Sequence, residues 1–164
     1  MISSPLSRRF SLLVCLCLSL SLISCDKGSE KPTEEAKPII ELNDGNVQQF
    51  TQSLAKDYAQ IQKALLDAFY SHKKSGDSYG FTKFRNHSWT PNFVEKKDYY
   101  QAVLNKNRDY ISTAGIKPLF LRFENLIYIG INLKNGLLNN DQDLMKETLA
   151  EAAADKKIIE SLAK

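Results

Sequence analysis

The chain has two imidazoles, His72 and His87, and the nearest carboxylate in sequence is Asp77. A histidine beside an acid is the minimum for a general base or a metal ligand set, so these residues are the first to test. A di-metal site on helices needs Glu three residues before each His, and Phe69 and Phe84 occupy those places. A haem ligand would have to face a helical core, and His72 falls at the end of a helical pattern. No GxSxG, HExxH, phosphate-loop, dinucleotide or calcium-loop pattern occurs in the sequence. Both histidines therefore read as surface residues, with no catalytic residue, no metal and no cofactor expected. Asn107 shares a helical stripe with Tyr100, Leu104 and Ile111. A polar group there either reads a ligand, or fixes helix register through a buried hydrogen bond or stays partly exposed, and register or partial exposure is the expectation.

The most distinctive chemistry lies in residues 75–93, SGDSYGFTKFRNHSWTPNF. Tyr79, Phe81, Phe84 and Trp89 alternate there with Lys83, Arg85 and His87. Aromatic side chains with Arg are the usual anchors of protein interfaces, so these seven residues are the candidate partner-binding set. The stretch reads as a long connection that either projects to a partner or folds its aromatics over the end of the domain, with Trp89 inward and Arg85 outward. Residues 56–110 hold ten Lys and Arg against six acids, whereas residues 111–164 balance seven against seven. The candidate surface is on the more basic half, suited to an acidic partner or a lipid headgroup.

The three cysteines all fall in the first 25 residues, MISSPLSRRFSLLVCLCLSLSLISC. Arg8 and Arg9 precede an apolar run of 14 residues, Phe10 to Ile23. That is short of the ~20 residues of a transmembrane helix and suits the h-region of a signal peptide. The run ends Leu22-Ile23-Ser24-Cys25. This resembles the lipobox of bacterial lipoproteins: an aliphatic residue, a tolerant position, a small residue, then Cys. Cys15 and Cys17 do not fit, because Val14 and Leu16 stand where a small residue is required. The resemblance implies cleavage before Cys25, acylation of its thiol, a palmitate-type lipid anchor and an extracytoplasmic, periplasmic location. Asp26 resembles the signal that keeps enteric lipoproteins in the inner membrane, which favours the inner over the outer membrane. The remaining chain would then have no thiol for a disulfide, a metal or a nucleophile.

These features need a scaffold. The 164 residues, 43% apolar and 25% charged, are enough for one domain with its own core. Residues 26–45 carry three Lys against six acids and no large apolar side chain before Ile39, so they read as a flexible tether of ~25 Å span. The domain is expected over 46–164. Val47, Phe50, Leu54, Tyr58, Ile61, Leu65 and Phe69 recur every three or four residues, which predicts a helix over about 47–74 capped by Asp44 or Asn46 and ended by Gly76. Thr90-Pro91 opens a second helix, with Phe93, Tyr100, Val103, Leu104, Ile111 and Ala114 on one face and Gly115 as its stop. Pro118 opens a third segment. Its residues 126–133 alternate like a strand (Ile127, Ile129, Ile131, Leu133), but a lone strand would leave its backbone unpaired, so helix is favoured. A fourth helix is expected over about 141–163. The sum is an all-α, antiparallel four-helix bundle after a signal peptide (1–24) and an acylated tether (25–45).

The functional expectation is a lipid-anchored, non-enzymatic envelope protein that binds a protein partner at the membrane surface, as an accessory subunit of an envelope complex. The alternatives are an immunity-type inhibitor of a periplasmic toxin or lytic enzyme and, behind that, a small-ligand carrier or enzyme. Nucleic acid is not an expected partner of an exported chain.

Overall fold

The computed structural model describes residues 38–164. The expected signal peptide and the lipobox-like segment with Cys25, together with Asp26, lie outside the described residues. Six α-helices and one π turn make up the domain: α1 (Val47–Ser75), α2 (Ser78–Phe84), a π turn (Arg85–Trp89), α3 (Thr90–Lys106), α4 (Arg108–Thr113), α5 (Lys117–Asn139) and α6 (Gln142–Leu162). There is no strand among the described residues, so the expected all-α class is what is found. Residues 126–133 lie within α5, whose Leu126, Ile129 and Leu133 are buried. The β-branched alternation there reflects a helix that is apolar on more than one side.

The helix ends follow local chemistry. Gly76 adopts φ 71° and closes α1 with amide bonds to the carbonyls of His72 and Lys73, a left-handed cap that costs glycine little. Asp141 caps α6 by accepting the Leu144 N–H. Asn46 starts α1 without a side-chain cap. Its amide instead reaches back, accepting from Asn43 N–H and donating to the Glu41 carbonyl.

The core is aromatic at its centre. Phe50 stacks on Phe120, Tyr58 meets Phe123 edge-on, and Phe93 stacks on Phe123. Register can be read from such pairs. Along α1 and the run formed by the π turn and α3, Asp57 meets Tyr100 while Ile61 meets Trp89, so the two run in opposite directions. Along α5 and α6, Asn125 meets Glu151 and Asp155 while a Cβ on Gly136 would meet Met145. Those two also run in opposite directions.

Two expectations are corrected. The connection expected over residues 75–90 is helical: α2, the π turn and α3 form one continuous run from Ser78 to Lys106. The second helix thus begins twelve residues earlier than Thr90, and it breaks at Asn107 before resuming as α4. The tether also ends sooner than residue 45. Leu42 is buried, and Ile39 and Ile40 pack against the core.

Candidate functional site

The α2 end of the domain is built from a tight reversal after α1. Asp77 caps α2, its Oδ1 accepting the Gly80 N–H at 2.8 Å while its Oδ2 meets His72 Nδ1 at 3.2 Å. A Cβ at residue 80 would collide with the Asp77 carboxylate and lie 2.7 Å from the His72 ring, so only glycine fits under this pair. His72 therefore ties the end of α1 to the start of α2 through a carboxylate that is itself a helix cap. This is a structural use of the His-Asp pair.

Behind the cap, the expected partner-binding set divides. Phe81 is fully buried and packs edge-on against Phe69 with ring centres 5.7 Å apart. Trp89 is also buried; its indole N–H donates to the Ile61 carbonyl at 2.9 Å and its ring stacks on Phe93 at 5.2 Å. Gly130 makes room for that ring, since a Cβ there would lie 3.2 Å from it. Phe81 and Trp89 are therefore core residues and cannot be partner contacts in this fold. Phe84 is partly buried and packs against the same core. Tyr79, Lys83 and His87 remain exposed at four-residue spacing, Tyr79 to 78%.

Arg85 falls between the two groups. Its Nη1 donates to Asn86 Oδ1 at 3.0 Å, while its Nε is buried without a hydrogen-bond partner near Gly130. Burial lowers the guanidinium pKa from its ordinary value. The same end of the domain carries Lys73 and Lys74 in the last turn of α1. Residues 70–87 hold four Lys and Arg against one acid. The outward chemistry here is a phenol, ammonium groups, an imidazole and one guanidinium, all able to donate to carboxylates or phosphates.

The π turn explains how this division arises. In a continuous α-helix, Phe81 and Phe93 would be about 120° apart around the axis. A π turn takes up one extra residue, ~100° of rotation, and brings them to about 20°. Phe81, Trp89, Phe93 and Tyr100 then face one core while Tyr79, Lys83 and His87 face away.

Asn107 has an assignment of its own. It is buried where α3 ends; its Oδ1 accepts the Leu42 N–H at 2.8 Å and its Nδ2 donates to the carbonyls of Ile40 and Val103 at 3.0 and 2.8 Å. Lys106 Nζ adds a bond to the Ile39 carbonyl at 2.8 Å, and Tyr110 Oη one to Asp44 at 2.8 Å. The expected buried hydrogen bond is present, but it secures the segment before α1 instead of the register of a helix pair.

A second polar cluster was not foreseen. Asp155 of α6 is 1% exposed and accepts from Arg122 Nη1 at 2.9 Å and Asn125 Nδ2 at 2.8 Å. Gln62 Nε2 donates to the Ala152 carbonyl at 2.7 Å and to Tyr58 Oη at 3.1 Å. Burial, and then the Asp155 charge, raise the Tyr58 pKa. The only signal in the sequence is that Asp155 sits between Ala152 and Ile159 on the apolar stripe of the last helix. A carboxylate held by two donors is occupied, and the cluster links α1, α5 and α6.

Among the described residues, no group of three or more His, Cys, Asp or Glu could hold a metal ion. A recess lined by Tyr100, Phe120 and Phe123 measures about 10 Å³, room for one water at most. No described helix is long and apolar enough to cross a membrane. No protein-family model, no curated protein and no solved structure matches the chain.

Proposed function

We propose that the chain is a lipid-anchored bacterial envelope protein, attached through Cys25, that acts without catalysis by presenting the Tyr79, Lys83 and His87 ridge to an acidic protein partner, as an accessory subunit of an envelope complex. The observation that carries the reading is the placement of that ridge. The chain enters the domain at Pro38, beside Asn107 and the start of α1, whereas α2 begins at the other end of α1. A helix of 29 residues is about 43 Å long. An anchor at Cys25 would join the domain at the end of α1 remote from the basic, aromatic ridge. This favours a protein partner over a headgroup contact. The toxin-inhibitor reading gains nothing, because the segment that would have projected into a cleft is a packed helix.

The test has two arms. A photo-crosslinking amino acid at position 79 in living cells is expected to give a discrete protein adduct that Lys83→Glu removes. No adduct beyond that from exposed Gln52, on the opposite end of α1, would overturn the partner surface. Separately, Cys25→Ser is expected to abolish labelling by a fatty acid and release the protein from membranes, while Cys15→Ser and Cys17→Ser do not. Labelling that persists in Cys25→Ser would overturn the anchor.

A further inference from the structure

Helix α5 has a second stripe, apolar at four of six positions, that the described residues leave exposed or half-buried. Its inner side, with Leu119, Phe123, Leu126, Ile129 and Leu133, is buried against the core. On its outer side Leu121, Glu124, Tyr128, Ile131, Asn135 and Leu138 recur at spacings of three, four, three, four and three. Leu121, Tyr128 and Leu138 are 49%, 62% and 49% exposed and are half of the large exposed apolar side chains among the described residues. A stripe of 3.5-residue period is the seam of a helix that packs along another helix.

We propose that this face pairs with the same face of a second copy of the chain, in an antiparallel arrangement about a two-fold axis between Ile129 and Gly130. The stripe is self-complementary about that point. Leu121 opposes Leu138 of the second copy, Glu124 opposes Asn135, and Tyr128 opposes Ile131, so apolar meets apolar and the single charge meets an amide. A parallel pairing would set Glu124 against Glu124, a like-charge contact that disfavours it. Charge at the ends agrees with the antiparallel choice. Lys117, in the first turn of α5, comes opposite the second copy's α5–α6 corner, where Asp141 and Asp143 stand. Both contacts occur twice, as a two-fold interface requires. The inference uses none of the residues of the Tyr79 ridge and holds or fails independently of it.

The experiment co-expresses two differently tagged full-length chains, one carrying Leu121→Cys and the other Leu138→Cys, and treats broken cells with a short bis-maleimide. Both positions are exposed, and they are about 25 Å apart along one helix, beyond the reach of the reagent. The expected result is a mixed-tag adduct, with none between two Leu121→Cys chains and only background from the parent chain. Tyr128→Lys added to both chains should reduce the adduct roughly tenfold, while each chain keeps its protease resistance. Adducts between two Leu121→Cys chains would show a parallel pairing and overturn the proposal. A mixed yield no higher than that from Lys63→Cys chains, cross-linked from the outward face of α1, would overturn it as well.

Discussion

Tyr79 and Trp89 lie on one helical run and have opposite environments, which makes them a test of which aromatic holds the fold. Trp89→Ala removes a buried ring that also donates to the Ile61 carbonyl, so chemical denaturation should show a loss of about 3–5 kcal/mol. Tyr79→Ala should change stability by no more than about 0.5 kcal/mol. Asn107→Ala leaves the Leu42 N–H and the Ile40 carbonyl without their buried partner. It should cost about 1–3 kcal/mol, and the Leu42 amide should exchange with solvent far faster than in the parent. At this scale the sequence marks the unusual residues but not their direction. Interleaved aromatics and bases single out residues 79–89; which of them face inward depends on a π turn that no local pattern announces. Asp155 was illegible for another reason: its partners Arg122 and Asn125 come from a different helix.

At the scale of elements, the π turn makes a prediction of its own. It amounts to one extra residue in a helical run, so deleting exposed Asn86 should let Ser78–Lys106 close into regular α-helix with Phe81 and Phe93 still on one face. Deleting Glu95 instead would rotate Phe93 by about 100° relative to Tyr100 and remove one of them from the core. Denaturation should show the Asn86 deletion folded and the Glu95 deletion unfolded or severely destabilised. Close packing of α5 on the π turn is equally specific. Gly130→Leu would force a side chain into space that the Trp89 ring occupies, and a loss of about 1–3 kcal/mol is expected. Helices α1 and α6 were legible almost to the residue because their stripes are long and their ends carry Gly76 and Asp141. Helix α5, opened by Pro118 but apolar nearly all round, also allowed a strand over residues 126–133. The run before Thr90 was not, since glycine, serine and asparagine are frequent there and its apolar residues lose the α-helical period at the π turn.

For the whole molecule, the buried phenols set the response to alkali. Burial raises the Tyr58 pKa, and burial with the hydrogen bond to Asp57 raises that of Tyr100, above the ordinary value of 10.0. The native state keeps both protonated where the unfolded chain would ionise them. Their contribution is therefore fully present below about pH 10 and is lost as pH rises beyond it. Denaturant midpoints measured from about pH 8 to about pH 11 should fall at the upper end. Tyr100→Phe should flatten that fall.

The segment clasped by Asn107 also decides how the molecule bears a mechanical load. A pull on the chain from its N-terminal side arrives at Pro38 and meets, in order, the Lys106 bond to Ile39, the Asn107 bonds to Ile40 and Leu42, and the buried Leu42 side chain. Helix α1 begins only beyond these, at Val47. Tension is thus passed sideways into the α3–α4 junction before it can unwind the first turn of α1. The clasp acts as a strain relief, the part expected to yield first and to re-form when the force is removed, while the aromatic core stays closed.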